Sequence, residues 1–153
     1  MKNQPRRILA IASGGGHWVE LMRLKPAFEG LDVAYASVFA ASAGDVPGHR
    51  FYSFDDVSRF RKARIVSVFW QITRIVLRER PSVVITTGSF PALMALGVAR
   101  TLLGARTIWI DSVANCQALS TSGRLARRVA DIWLTQWPHL TTPDGPEHWG
   151  AVL

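Results

Sequence analysis

Two short runs carry most of the chemistry this sequence can do: Ser13, Gly14, Gly15, Gly16 and His17, then Thr87, Gly88 and Ser89. Each follows an apolar stretch and precedes a helical one. Glycine admits positive φ and lets a ligand come close to the backbone, while the helix that starts just after it offers unpaired N–H groups and a positive dipole end to an anion. A diphosphate suits such a loop. His17, at its mouth, is placed to take a proton from a hydroxyl or to hold a phosphate oxygen. The competing reading is a helix-capping histidine with no chemistry. Asp111, followed by Ser112, ends another apolar run, where a carboxylate orients a sugar hydroxyl, acts as a base, or simply caps a loop.

Several familiar sites are excluded by spacing. After Gly14, Gly15 and Gly16 come His17 and, further on, Glu20, Leu21 and Met22, so the G-x-G-x-x-G dinucleotide pattern is not met. The second apolar run ends in Ala36 and Ser37, without the acid that would hold a ribose. No lysine precedes a serine or threonine, which removes the P-loop. His49, His139 and His148 share no metal-ligand spacing and read as surface or packing residues. The single cysteine, Cys116, allows no internal disulfide and points to a reducing compartment.

The elements that must position these residues alternate regularly. Residues 7–13 read as a buried strand, 18–28 as a helix, 32–39 and 50–54 as strands, and 62–80 as a helix that Pro81 ends. "SVVITTGSF" is a strand running into a turn, Pro91 opens a helix that Gly104 closes, and "RTIWIDS" is the next strand. A short helix over 123–130 and the strand "IWLTQW" complete the series, with a loosely structured tail from about residue 141. Such alternation predicts an α/β fold: a Rossmann-like parallel sheet, helices on both faces, and ligands outside the carboxyl ends of the strands. Both glycine turns fall at that edge.

A chain of 153 residues, 48% hydrophobic and 19% charged, suits one folded domain over 1–153 and not a disordered one. Its 18 Lys+Arg against 11 Asp+Glu give a net charge of +7. The cations cluster at Arg59, Arg61, Lys62 and Arg64, at Arg74, Arg78 and Arg80, and at Arg124, Arg127 and Arg128. Phosphorylated substrates and anionic lipid fit this balance, and charge alone prompts nucleic acid. No stretch reads as a signal peptide or a membrane span, so a membrane contact would be peripheral. The basic amphipathic helix at about 61–80 is the expected surface, against the reading of a helix packed on the sheet with its arginines in water.

The motifs "SGGGHWVELMRL", "TTGSFPALMAL" and "IWIDSVANCQALSTSGRLARRVADIWLTQWPHL" occur in that order. The chain thereby resembles the small glycosyltransferase subunits related to the anchoring subunit of the two-part UDP-N-acetylglucosamine transferase of dolichol-linked oligosaccharide synthesis, and their bacterial PssD-like counterparts. That family is similar to the N-terminal half of a GT-B glycosyltransferase of the MurG type. The resemblance implies an acceptor-side half domain that, with a separate donor-binding subunit, moves a sugar such as N-acetylglucosamine or glucuronic acid from a UDP-sugar to a polyprenyl-diphosphate-linked saccharide on the cytoplasmic membrane face. It implies His17 or Asp111 as the group assisting deprotonation of the acceptor, with Ser13, Gly14, Gly15, Gly16, Thr87, Gly88 and Ser89 about the phosphate and acceptor. It implies no metal and no cofactor, the UDP-sugar being held mainly by the partner. Asp111 stands where the family usually has glutamate, and Asn115 where many relatives have arginine. The rival expectation is a non-catalytic membrane adaptor that recruits the catalytic partner.

Overall fold

In the computed structural model, which describes residues 6–57 and 62–152, the alternating pattern folds into one six-stranded parallel sheet. The strands are β1 (Arg7–Ile11), β2 (Asp32–Ser37), β3 (Arg50–Ser53), β4 (Val83–Thr86), β5 (Arg106–Ile110) and β6 (Ile132–Leu134). The helices are α1 (Gly16–Arg23), α2 (Lys62–Glu79), α3 (Phe90–Leu103) and α4 (Thr121–Ala126). Strand order is β3-β2-β1-β4-β5-β6, the Rossmann-like order, with every pair parallel. The order reverses between β1 and β4, because the chain first winds outward through β2 and β3 and then crosses back. In open α/β sheets that reversal leaves a crevice at the carboxyl edge.

Side-chain alternation along the strands divides the core in two. Leu9, Ile11, Ala34, Ala36, Val84 and Trp109 join the cluster under α2 and α3, while Ile8, Ala10, Val33, Tyr35, Ile85 and Ile110 join the cluster that holds Trp18 and Leu21 of α1. Strands apolar on both faces are what a parallel sheet with two covered faces requires.

Two helices and the tail differ from the sequence reading for local reasons. The helix expected over 18–28 stops at Arg23 and continues as a 3₁₀ turn, Lys25–Phe28, because Pro26 has no N–H and cannot sit inside an α-helix. The helix expected over 123–130 is α4, which starts earlier because Ser120 caps it: Gly123 N donates to Ser120 Oγ at 2.8 Å. The segment after residue 141 contains no long element, yet it is tied down. Glu147 bridges Leu134 of β6, and Val152 N donates to Gln136 Oε1 at 2.7 Å.

Helix α2 buries Val68, Ile72, Ile75 and Val76. It ends where Arg80 takes a positive φ of 46°, since the residue before Pro81 is barred from the α region. Its outer face exposes Val66, Phe69, Trp70 and Leu77 between Arg64, Arg74 and Arg78. Arg59 and Arg61 of the first basic cluster fall outside the described residues. Among the described residues no helix is long and apolar enough to cross a membrane.

Candidate functional site

The loops that leave β1, β4 and β5 meet at the reversal point and enclose a cleft of about 340 Å³. Gly16, His17 and Ser89 line one side of it, and Ser112, Asn115 and Ser120 the other. Among the described lining residues His17 is the one histidine, and none is a carboxylate.

His17 is held by the loop after β4. Its Nδ1 lies 3.0 Å from the Thr87 carbonyl, and Thr87 Oγ1 donates to the His17 carbonyl at 2.5 Å. Each residue thus holds the backbone of the other. A carbonyl only accepts, so Nδ1 is the donor in this contact, and in the neutral ring Nε2 then carries the lone pair. That is the tautomer a proton acceptor needs.

Gly88 makes this pairing possible. Its φ is +129°, and a Cβ there would lie 2.6 Å from the imidazole Cε1. The turn is fixed from below by Thr86, whose Oγ1 accepts from Gly88 N at 3.0 Å. Ser89 then takes a positive φ of 103° and caps α3, its Oγ accepting from Ala92 N at 3.3 Å.

The glycines of the first loop have separable reasons. Gly14 lies under Phe39, whose ring atoms come within 2.0 Å of where a Cβ would sit. Gly15 caps α1 with φ 65°. Gly16 has neither a positive φ nor a neighbour within 4 Å of an added Cβ, so the fold does not ask for glycine there. The first turn of α1 receives no side-chain cap, which leaves its N–H groups open to an anion at the cleft. Ser13 stands at the root of the loop, half-buried, its carbonyl accepting from Ser37 Oγ at 3.4 Å.

Asp111, the other group expected to assist deprotonation, is buried among hydrogen-bond partners. Its side chain is 1% exposed, Oδ1 accepts from Ser120 Oγ at 2.7 Å and from Trp109 Nε1 at 3.2 Å, and Oδ2 accepts from Ser120 N at 3.0 Å. Gly123 packs against it so closely that a Cβ would lie 2.3 Å from Oδ1. The carboxylate folds the 112–120 loop back onto α4 and does not face the cleft. The geometry is that of the loop cap, the alternative its position at a strand end left open.

Two residues to which the sequence reading gave no role brace the loop that follows β5. Glu20, three residues after His17 and 3% exposed, accepts from Val113 N and from Gln136 Nε2, each at 2.8 Å. Gln136 also donates to the Asp111 carbonyl at 3.0 Å. Glutamate on a helix three residues past a glycine loop looks solvated, so only its buried surroundings reveal this role. The other three histidines each meet a backbone carbonyl: His49 that of Val33, His139 that of Cys116, and His148 that of Thr135.

Comparison with known families matches residues 58–152, which include α2 and the second loop, to the family described as oligosaccharide biosynthesis protein Alg14 like. The chain belongs to this family. Members similar to it include the "UDP-N-acetylglucosamine transferase subunit ALG14" of Mus musculus, 25% identical over 88% of this chain and 76% of that protein. The protein of the same name from Eremothecium gossypii is 25% identical over 99% of this chain and 82% of its own. The second alignment, over 99% of this chain, takes in the glycine-histidine loop as well.

Among solved structures, MurG of Acinetobacter baumannii superposes with a TM-score of 0.71 at 15% identity over 93% of this chain. The chain spans 45% of that enzyme, matching its N-terminal, GT-B-type half. UDP-N-acetylglucosamine 2-epimerase of Rickettsia bellii also superposes, with a TM-score of 0.66 at 12% identity. A transferase and an epimerase on one scaffold show that the shared fold does not choose the reaction.

Proposed function

We propose that this family member is the acceptor-side subunit of a two-part glycosyltransferase, forming one wall of an active site whose donor-binding wall belongs to a separate subunit. In this reading the partner holds a UDP-sugar, and the acceptor is a saccharide on a polyprenyl diphosphate at the cytoplasmic membrane face. The names of the relatives support sugar transfer from a UDP-sugar, and the half-enzyme span supports the split. The observation that carries the reading is His17, fixed by Thr87 as the one titratable group lining the cleft among the described residues.

His17 Nε2 takes the proton of the acceptor hydroxyl as the bond to the sugar's anomeric carbon forms and the bond to UDP breaks. The open N–H groups of α1 meet the acceptor's diphosphate. No step assigned to this chain calls on a metal or a cofactor. The exposed apolar and arginine face of α2 rests on the membrane, apolar side chains in the interface and guanidinium groups at anionic headgroups.

A second reading draws on Asp111, whose carboxylate the loop consumes. If His17 also stands outside the chemistry, the chain is an adaptor that recruits and stabilises its partner. Sugar transfer from a panel of UDP-sugars to extracted lipid-linked acceptors, by each subunit alone and by the pair, tests the split. Within the pair, His17→Ala is expected to lower kcat by about 10²–10⁴, the usual contribution of a general base. Full activity of that variant would make the chain an adaptor.

A further inference from the structure

Phe39 is 60% exposed, although an aromatic ring of its size gains most from burial. It follows β2 and its ring lies against the backbone of Gly14, at less than van der Waals distance from where any side chain would begin. The glycine loop therefore carries an aromatic plate against Gly14 and lines the cleft with Gly16 and His17. Between them the crest is bare: added Cβ atoms at Gly15 and Gly16 meet nothing within 4 Å. A ligand lying in the cleft can cross this crest without displacing a side chain.

The two surfaces differ in chemistry. The cleft is lined by hydroxyl and amide groups, from Ser89, Ser112, Asn115, Ser120, Thr121 and Ser122. Phe39 offers an apolar plane whose face carries the negative lobe of the aromatic quadrupole. A pyranose ring needs both kinds of surface, because its rim bears hydroxyls and its faces bear C–H groups polarised by the neighbouring oxygens. A fatty chain would have no use for the hydroxyls, and a bare phosphate none for the ring.

We infer that Phe39 is a stacking platform for a sugar ring of the acceptor, one subsite along from His17 across the glycine crest. The inference rests on the proposed acceptor-side role, and it extends the recognised acceptor beyond the ring that reaches His17. Phe39 contacts substrate here without taking part in bond making.

The test uses the whole chain and chitobiose as probe, with saturation-transfer NMR reading which ring protons receive magnetisation from irradiated aromatic protons. The wild type is expected to bind weakly, with saturation concentrated on the C–H face of one ring. Phe39→Leu, which keeps apolar bulk but removes the π face, is expected to weaken binding at least fivefold, and Phe39→Trp to preserve it. Thermal unfolding of each variant confirms that the loop still folds. Absence of binding by the wild type, or equal binding by Phe39→Leu, would overturn the platform. In the reconstituted pair Phe39→Leu should raise the acceptor KM and leave the donor KM unchanged. Loss of partner capture by Phe39→Leu with chitobiose binding intact would assign the ring to the subunit interface and overturn the inference. Transfer by the pair with an unaffected acceptor KM would remove the platform and spare the split-transferase reading. Chitobiose stacking on Phe39 in a pair that transfers no sugar would do the reverse.

Discussion

Two glycines at the cleft are alike in the sequence and opposite in their demands, and substitution separates them. Gly88 has a positive φ and the His17 ring where a Cβ would go. Gly88→Ala is expected to lose about 1–3 kcal/mol through backbone strain, to push the imidazole off the Thr87 carbonyl, and to resemble His17→Ala in activity. Gly16→Ala meets no obstacle and begins a helix, so its thermal stability is expected to stay level or to rise by up to about 1 kcal/mol. Its activity should fall, because the methyl group occupies space reserved for the ligand. Equal activity of Gly16→Ala and wild type, measured beside an unchanged melting curve, would show that no ligand approaches the backbone there.

At the scale of elements, α2 divides its labour between two faces. The inner face packs Val68, Ile72 and Val76 into the core, each fully buried, so it cannot leave the sheet to enter a bilayer. Only the outer face can touch lipid, with Trp70 at 57% exposure and Arg74 beside it at helical spacing. Trp70→Ser with Arg74→Ser is expected to weaken binding to anionic vesicles roughly tenfold, one arginine near such a surface being worth about 1 kcal/mol, while leaving stability unchanged. Arg78 is a poorer choice because its guanidinium lies 5.9 Å over the Tyr52 ring and so has a structural part. Vesicle sedimentation that does not distinguish the double variant from wild type would move the membrane contact elsewhere.

Across the whole molecule, the edge opposite the cleft is held by charge. Glu79, 3% exposed at the end of α2, accepts from Arg50 Nε at 3.0 and 3.1 Å and from Tyr52 OH at 2.5 Å, while Asp32 pairs with Arg50 at 2.7 Å and Arg7 at 3.1 Å. Burial pushes the Glu79 carboxyl up, but the hydrogen bonds from Arg50 and Tyr52 outweigh it and hold the group below its usual range. Arg50, aided by Arg7, overcomes burial at Asp32 in the same direction. A carboxylate with a depressed folded pKa stabilises the fold above its unfolded pKa of roughly 4 and loses that contribution as pH falls through the folded value. The melting temperature is therefore expected to drop steeply below about pH 4. Glu79→Gln should melt lower at pH 7, by about 2 kcal/mol of lost charged hydrogen bonding, and converge on the wild type in acid. Parallel curves across the whole pH range would show that this network carries no pH-dependent stability.

Much of this was legible in the chain itself. Apolar runs broken by glycine and proline at regular intervals dictate alternating strands and helices, and strands apolar on both faces dictate a parallel sheet with both faces covered, because period and burial are local consequences of residue type. The glycine loops and His17 could be singled out for the same reason: φ freedom and a free helix end belong to the residues that carry them. What the sequence could not decide was direction and company. Asp111 and His17 both end or follow a strand at the same edge, yet one carboxylate is turned under a loop by Ser120, nine residues on, while the imidazole is turned toward the cleft by Thr87, seventy residues on. Glu20 is buried by Val113 and Gln136, and the tail is pinned by β6, through contacts between residues far apart in sequence. Hydrogen bonds of that kind exist only once the sheet has brought its loops together, so tertiary structure alone chose which acid caps a loop, which imidazole lines the cleft and which glycine the fold itself does not require.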